Sequence, residues 1–557
     1  MKTFKTIIKS TICASLLASG AMAVSSCDDM LDTAPNGTFS SEQIGEKEAV
    51  ELMTAAYAGL LNHFIGNNEA FAGPINNWVW DLRSDDALKG GEAPGMENYM
   101  HQFEIGNVQS DNASASAKWL NDYFSISRCN NAIRGLKAAT QLSAKEQASM
   151  IGEMKTLRAF FFFDLYRIFK AFPYFDENAD PSTVRSDKYT REEIIGFIKK
   201  DLADSYDAMQ PSMSDKGRFN KFVAAALLAR VALFDHDYAL AETYAGYVID
   251  EGGYDLYTNF LDMSKIEFNN GPESVLAVQF CDTNAPAQYN YNNCLNCTYS
   301  EGDLYGVGDD FYLGSQDLIN AFRTDANGLP FLNGDHNAEN VTKADYAGNV
   351  DPRLDFTFGR IGMPWRSYNY NEKWCRALQL YGQYSGKKYY TSPDIPTIWT
   401  QVPWGSSSLN MMLIRFADVK LMYAEALIEQ GKELETARGH INDIRRRAAR
   451  SVDPAYTPVD CDPMTANYLI GEYPAAGWNQ ELARKAVRME RRLELAMEGH
   501  RWFDLVRWGE AVNVVNKYYA FEKQFQPYYD GASLSENDLY CPIPLDQVNN
   551  SNGLYHN

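Results

Sequence analysis

The segment Arg484–Trp508, RKAVRMERRLELAMEGHRWFDLVRW, decides how the chain is read. Met489, Leu493 and Ala496/Met497 recur at the spacing of an amphipathic helix. Gly499 can take the left-handed conformation that ends a helix. Trp502, Leu505, Val506 and Trp508 then start a second apolar face, so the spacing predicts two helices meeting at Gly499. Glu490, Glu494, Glu498 and Asp504 are interleaved with Arg488, Arg491, Arg492, Arg501 and Arg507. Glu494 and Glu498, one helical turn apart, would repel unless arginines sit beside them. One reading is a catalytic carboxylate cluster with an arginine clamp. The favoured reading is an ion-paired helical hairpin locked against the core by two tryptophans, because every acid has an arginine within helical reach.

Further helical hairpins precede this segment. Ala417–Glu429 and Leu434–Arg447 turn at Gln430-Gly431; Lys221–Phe234 and Tyr238–Ile249 turn around Asp235-His236-Asp237 and stop at Gly252-Gly253. Small residues fall where helices must approach closely: Ala225, Ala229 and Ala232 in one pair, Ala424 and Ala426 in the other. That is a tetratricopeptide-like pattern. Arg191–Met209, Ser143–Phe172, Lys118–Ala139 and Glu42–Asn62 also read as helices; the second of these is apolar on nearly every side and precedes Pro173. The middle of the chain, about residues 253–416, differs. It is rich in Tyr, Trp, Asn, Gly and Asp, with a strand expected at Ser274–Phe280 and a short helix at Asp309–Arg323. Long ordered loops on a helical scaffold are usually functional.

RMERRLELAMEGHRWFDLVRWG (Arg488–Gly509) resembles the C-terminal signature of the SusD-like (RagB/SusD) family of surface glycan-binding lipoproteins. The family pattern falls on Glu490, Arg491, Glu494, Leu495, Glu498, Gly499, Arg501, Trp502, Asp504, Leu505, Arg507 and Trp508. ISRCNNAI (Ile126–Ile133), LRAFFFFDLYRIFKAFPYF (Leu157–Phe175), DPRLDFTF (Asp351–Phe358), IRFADVKLMYAEAL (Ile414–Leu427) and LYCPIPLDQVNNSNGLYHN (Leu539–Asn557) also look like family segments. Phe416 stands where tyrosine is usual, and the chain ends Tyr-His-Asn rather than Gln-Asn. The resemblance implies a mainly α fold: a tetratricopeptide-like hairpin scaffold with a loop-rich ligand-binding half and a few short strands. It further implies capture of oligosaccharides and delivery to a SusC-type TonB-dependent outer-membrane transporter, over which the protein would act as a hinged lid.

The N-terminus reads as an export signal, residues 1–26, with Lys2, Lys5 and Lys9 before the apolar Ile12–Val24. Two cleavage readings are open: an A-x-A site at Ala21-Met22-Ala23, or a loose lipobox, Val24-Ser25-Ser26-Cys27, in which Cys27 is acylated. Asp28-Asp29 resembles the acidic signal that sends such lipoproteins to the outer face of the outer membrane. Residues 27–41 would then be a tether, and 42–557 the folded domain. Elsewhere no apolar run is long enough to span a bilayer; Phe222–Phe234 is too short and contains Arg230. Attachment would rest on lipid alone.

The formal charge of −22 becomes −25 when the three signal lysines leave. Such a surface argues against nucleic acid and anionic lipid and suits a neutral ligand. Without Cys13 and Cys27, seven cysteines remain: Cys129, Cys281, Cys294, Cys297, Cys375, Cys461 and Cys541. Cys294 and Cys297 form a lone C-x-x-C, read as a short-loop disulfide, since a zinc site would need a second pair or histidines. No cofactor is expected; calcium has no supporting motif.

There is no H-E-x-x-H, G-x-S-x-G, P-loop or G-x-G-x-x-G, and the seven histidines are scattered. The positive signal is aromatic. A sugar ring stacks its C–H face on Trp or Tyr and offers hydroxyls to planar polar groups. Three clusters fit: Trp78 and Trp80 with Asp85 and Asp86; Tyr289 and Tyr291, followed by Tyr299 and Tyr305; and Trp365, Arg366, Tyr368 and Trp374. Each has a plainer alternative: one of Trp78 and Trp80 faces the core, the tyrosines cover a loop or meet a transporter, and the other tryptophans pack inward. The expectation is non-covalent glycan binding without catalysis. Rivals are a surface glycosidase, an adhesion protein and an uptake partner for other nutrients such as peptides.

Overall fold

The computed structural model describes residues 45–61, 78–281, 308–342, 344–365, 368–390, 407–453 and 466–556, with Asn296, Thr298, Tyr299 and Ala455. The expected signal, Cys27, the tether, and Cys294, Cys297 and Cys461 lie outside the described residues. Among the described residues, helices of at least twelve residues follow one another across the scaffold: α1 Glu46–Tyr57, α2 Ala113–Ala138, α3 Ala144–Ile168, α4 Arg191–Ala208, α5 Lys221–Phe234, α6 Tyr238–Glu251, α7 Phe416–Glu429, α8 Leu434–Arg450 and α9 Gln480–Glu494. Each packs against the next, and α7 also packs against α9. The α6–α7 contact closes the array across the intervening loop-rich segment. α10 Arg501–Arg507 and α11 Ala511–Glu522 follow it.

Side-chain chemistry sets these boundaries. Ser143 with Glu146, and Thr190 with Glu193, form capping boxes for α3 and α4; Asn220, Asp237 and Asn479 cap α5, α6 and α9. In α3, Phe160–Phe163 are all buried, each contributing about 1.5–3 kcal/mol of apolar burial. That helix stops at Ile168, short of the expected Phe172. Phe169 turns extended and bridges Cys541, whose N–H donates to the Ile168 carbonyl at 2.8 Å. The alanines of α5 let α4, α6 and α7 approach: Ala225, Ala229 and Ala232 have no exposed surface.

Short ladders tie the middle segment down. β1 Ala87–Gly90 pairs antiparallel with β3 Phe311–Gly314, in the register Ala87↔Gly314 and Gly90↔Phe311. β2 Ser274–Val278 pairs antiparallel with β4 Met411–Arg415 through a register irregularity. Asn349–Val350 runs parallel to Asn467–Tyr468, and Pro364–Trp365 opposes Tyr368–Asn369. The helix expected at Asp309–Arg323 is thus half strand. Residues 311–314 are drawn into a ladder with β1, and Ser315 starts a helix only at Gln316 by accepting from the Leu318 N–H at 3.0 Å.

The Arg484–Trp508 segment lies at the centre. α9 ends at Glu494, and Gly499 has φ +79° in the turn before α10. Glu494 accepts from Arg353 at 3.0 Å, Arg415 at 2.9 Å and Arg447; Glu490 accepts from Arg353 at 2.6 Å and Arg445 at 2.9 Å. Glu498 takes Arg415 and Lys388, while Glu273 joins Arg415 to Arg447. All of these are buried. Burial alone would raise the Glu498 carboxyl, but Arg415 and Lys388 outweigh it and hold it down at about 2. Asp504 accepts from Arg491 and Arg507, and Trp508 donates to Glu425 at 2.6 Å. Every acid of the segment is spent on an arginine or lysine inside the protein.

Candidate functional site

The first sequence cluster serves this buried knot. Trp78 begins a short helical turn, Trp78–Asp81; its side chain lies outside the described residues. Trp80 is 2% exposed, edge-on to Phe103 at 5.2 Å, which corrects its expected place on an exposed loop. Asp85 accepts from Arg501 at 2.8 Å and Arg492 at 3.0 Å, and Asp86 accepts from Arg492 at 2.7 Å. Both aspartates are buried, so they clamp the C-terminal segment rather than face a ligand. Arg83 lies 4.2 Å over the Trp502 ring, and Asp81 accepts from the Gly499 N–H at 2.8 Å. The polar, aromatic composition read as a binding loop is the socket for α10.

Trp365 and Trp374 are corrected in the same sense. They are 0% and 2% exposed. Trp365 stacks on Tyr370 at 5.3 Å and meets Trp374 edge-on at 5.7 Å, with Tyr390 against its other side. The cause is local: the two-residue ladder at Trp365 and Tyr368 folds the strand back, and Gly359 leaves room for the Trp365 ring. Tyr289, Tyr291, Tyr305 and Arg366 lie outside the described residues.

The flanks of those segments nevertheless converge. The Tyr299 N–H donates to the Trp374 carbonyl at 3.0 Å, joining the second cluster to the third. Arg376 lies 5.4 Å over the Tyr299 ring and pairs with Asp309 and, at 3.2 Å, with Glu92 just beyond β1. Tyr299, Tyr368 and Arg376 are half-buried, and Asn369 and Glu92 are exposed. The result is a polar and aromatic rim over a floor of tryptophan. Beneath it Tyr370 meets Ser385 at 2.6 Å, and Ser385 donates to Asp310 at 2.5 Å. Burial pushes the Asp310 carboxyl up to about 7, against the opposing Ser385 and Arg376 N–H contacts. Arg376 and Glu92 were missed in the sequence, since neither sits within an aromatic cluster; proximity to Trp374 was the available signal for Arg376.

This face has ring surfaces, amides and charges suited to holding a hydroxylated ligand. Among the described residues, no group of three or more His, Cys, Asp or Glu side chains is placed to hold a metal ion. Cys129, Cys375 and Cys541 are buried thiols; burial pushes Cys129 and Cys375 up to about 12. Among the described residues no helix is long and apolar enough to cross a membrane.

Comparison with known proteins places this architecture. A family model described as the SusD family matches residues 272–557, just over half of the chain. A second, described as starch-binding associating with outer membrane, matches residues 75–233. A SusD-like protein from Bacteroides ovatus is 26% identical over 550 residues, covering 94% of this chain and 87% of its own. Among solved structures, a SusD superfamily protein from Bacteroides vulgatus aligns with TM-score 0.71 at 20% identity, covering 92% of this chain and 98% of that one. Surface glycan-binding protein A from Bacteroides thetaiotaomicron, in complex with laminarihexaose, aligns with TM-score 0.66 at 18% identity over the same shares. These likenesses share the mainly helical, tetratricopeptide-like fold. The SusD family match contains the whole Arg488–Gly509 segment and most of its buried partners, and the chain belongs to that family.

Proposed function

We propose that the protein captures neutral oligosaccharides at the Tyr299–Arg376 face and passes them to a SusC-type TonB-dependent transporter. Lipid on Cys27 would hold it to the outer face of the outer membrane, with Asp28–Ser41 as the tether. Family membership supports the glycan class, as does the hexasaccharide held by the related surface glycan-binding protein. The observation that carries the reading here is the convergence of Tyr299, Arg376, Glu92 and the Trp374 backbone on one rim. Tyr289, Tyr291, Tyr305 and Arg366 are the proposed contacts on the sequence segments that contribute to it, joined by Tyr299 and Tyr368; Trp78 is proposed as a separate contact. The molecule's negative charge disfavours anionic ligands at this rim.

Binding without bond cleavage fits the carboxylates Glu490, Glu494 and Glu498 being buried and ion-paired rather than open to substrate. Affinity gels loaded with laminarin, starch, xylan or glucomannan test the proposal. At least one polysaccharide retards the native chain, and Tyr289→Ala with Tyr291→Ala relieves the retardation. New reducing ends on incubation would replace binding with hydrolysis. Copurification of an untagged SusC-type barrel with the tagged lipoprotein, lost in Cys27→Ser, checks delivery and anchoring together.

A further inference from the structure

The scaffold carries an aromatic surface away from the rim. Tyr206, in the last turn of α4, stacks on Tyr247 of α6 with ring centres 5.4 Å apart and planes 10° apart. Tyr244 meets both rings edge-on, at 5.3 Å and 5.6 Å. Lys221, the first residue of α5, covers the far side of the set, with its ammonium 4.1 Å from the Tyr206 ring centre. Tyr247 is 37% exposed. Tyr206 stacked on it and Tyr244 edge-on to it hold the ring flat.

A cleft of about 510 Å³ lies at the same end of the array, where α4 and α6 finish and α5 begins. Its walls come from Pro211–Asn220, which continues from Tyr206; Gly252–Tyr254, which continues from Tyr247; and Asn270–Gln279 at β2. Asn270 and Gln279 exchange amide hydrogen bonds at 2.9 and 3.0 Å, and Ser212, Ser274 and Asn220 add further polar groups. Arg218 is engaged by Glu153, which leaves Lys216 against Asp215 and no excess of either sign. A partly exposed ring at the same end of the array as a trough of amides and hydroxyls offers the two kinds of contact a neutral sugar needs.

We propose that Tyr247 and the Pro211–Gln279 cleft form a second oligosaccharide-binding site on the helical scaffold, sharing no residue with the Tyr299–Arg376 rim. It rests on the carbohydrate reading above and adds a place where a long glycan is held apart from the rim. Two attachment points on one chain raise the effective concentration of the glycan at the rim.

The test is calorimetric titration of the full chain with laminarihexaose, maltohexaose, cellohexaose and xylohexaose. Four variants are compared: Tyr247→Ala; Tyr247→Phe; Ser212→Arg, which plugs the cleft from an exposed position; and the combined Tyr289→Ala, Tyr291→Ala, Tyr305→Ala. The expected result is two sites per chain for at least one hexaose. Tyr247→Ala and Ser212→Arg each weaken one of them about tenfold or more, and Tyr247→Phe keeps it. The triple variant removes the other. A single site, lost in the triple variant and untouched by Tyr247→Ala and Ser212→Arg, overturns this inference and leaves the rim reading standing. A single site lost in Tyr247→Ala and Ser212→Arg but kept in the triple variant does the reverse. Loss in Tyr247→Ala alone, with a lowered Tm, is a folding effect and overturns the inference. Binding of none of the four hexaoses overturns both.

Discussion

Glu494 is fully buried, yet it accepts from three guanidinium groups carried by widely separated segments. Burial favours its neutral form; Arg447, Arg415 and Arg353 outweigh that and hold the carboxyl far below the usual range. Glu494→Ala would take one counter-charge from three buried guanidinium groups and leave Asp351, Glu490, Glu498 and Glu273 to hold them. The expected loss is about 3–5 kcal/mol, read as a lower urea midpoint. Titration behaves with two signs. Glu498 is held at about 2 when folded, against about 4.3 unfolded. Its contribution is complete above the unfolded value and is lost as pH falls toward 2. Asp310 is raised to about 7, so between about 4 and 7 the folded state keeps a proton that the unfolded chain has released. Its effect is a fall in stability as pH rises through that window. Asp310→Asn is expected to flatten that fall, by on the order of 2 kcal/mol between pH 5 and 8, in urea titrations at the two pH values. That Glu494 and Glu498 are ion-paired matches the sequence reading, but the arginines within helical reach are not their partners. The true partners were not legible, because Arg353, Arg415 and Arg447 arrive from other parts of the chain.

Helices were the most legible elements, since period and caps lie within one stretch of sequence. Lys221–Phe234 has the ends expected of it, and Asn220 caps it by accepting from the Phe222 and Val223 N–H groups. Asn220→Ala should cost about 1 kcal/mol, seen as a small drop in Tm. Phe161→Ala, inside α3, should cost about 3–5 kcal/mol, measured by urea unfolding. The ladders were harder. β1 finds its partner more than 200 residues away, so nothing near Phe311 says that it leaves the helical pattern. The same limit governs the aromatic clusters. Trp80, Trp365 and Trp374 have the composition of sugar platforms, but whether a ring faces in or out depends on what the fold lays over it. Trp80 is covered by Phe103 and Phe503, and Trp365 by Tyr370 and Tyr390.

On the scale of the molecule, two bodies of chain are held in one piece by a shared interior of charge. The helical array supplies Arg445, Arg447, Glu490 and Glu494; the loop-rich middle supplies Glu273, Arg353 and Lys388, with Arg415 at its end. A bound oligosaccharide should stabilise the whole by mass action, raising Tm with ligand concentration in a thermal-shift titration. The shared interior also sets a timetable for folding. Chains are made from the N-terminus, and domains organise as they emerge. Arg353, Arg415 and Arg447 find Asp351 and Glu273 early, but Glu490, Glu494 and Glu498, which complete their pairing, lie in the last sixth of the polypeptide. A polypeptide cut at residue 470 should keep much of its helical circular dichroism yet melt without a sharp transition. Until those final residues are delivered, the nascent chain holds its helices without the carboxylates that lock them to the loop-rich middle.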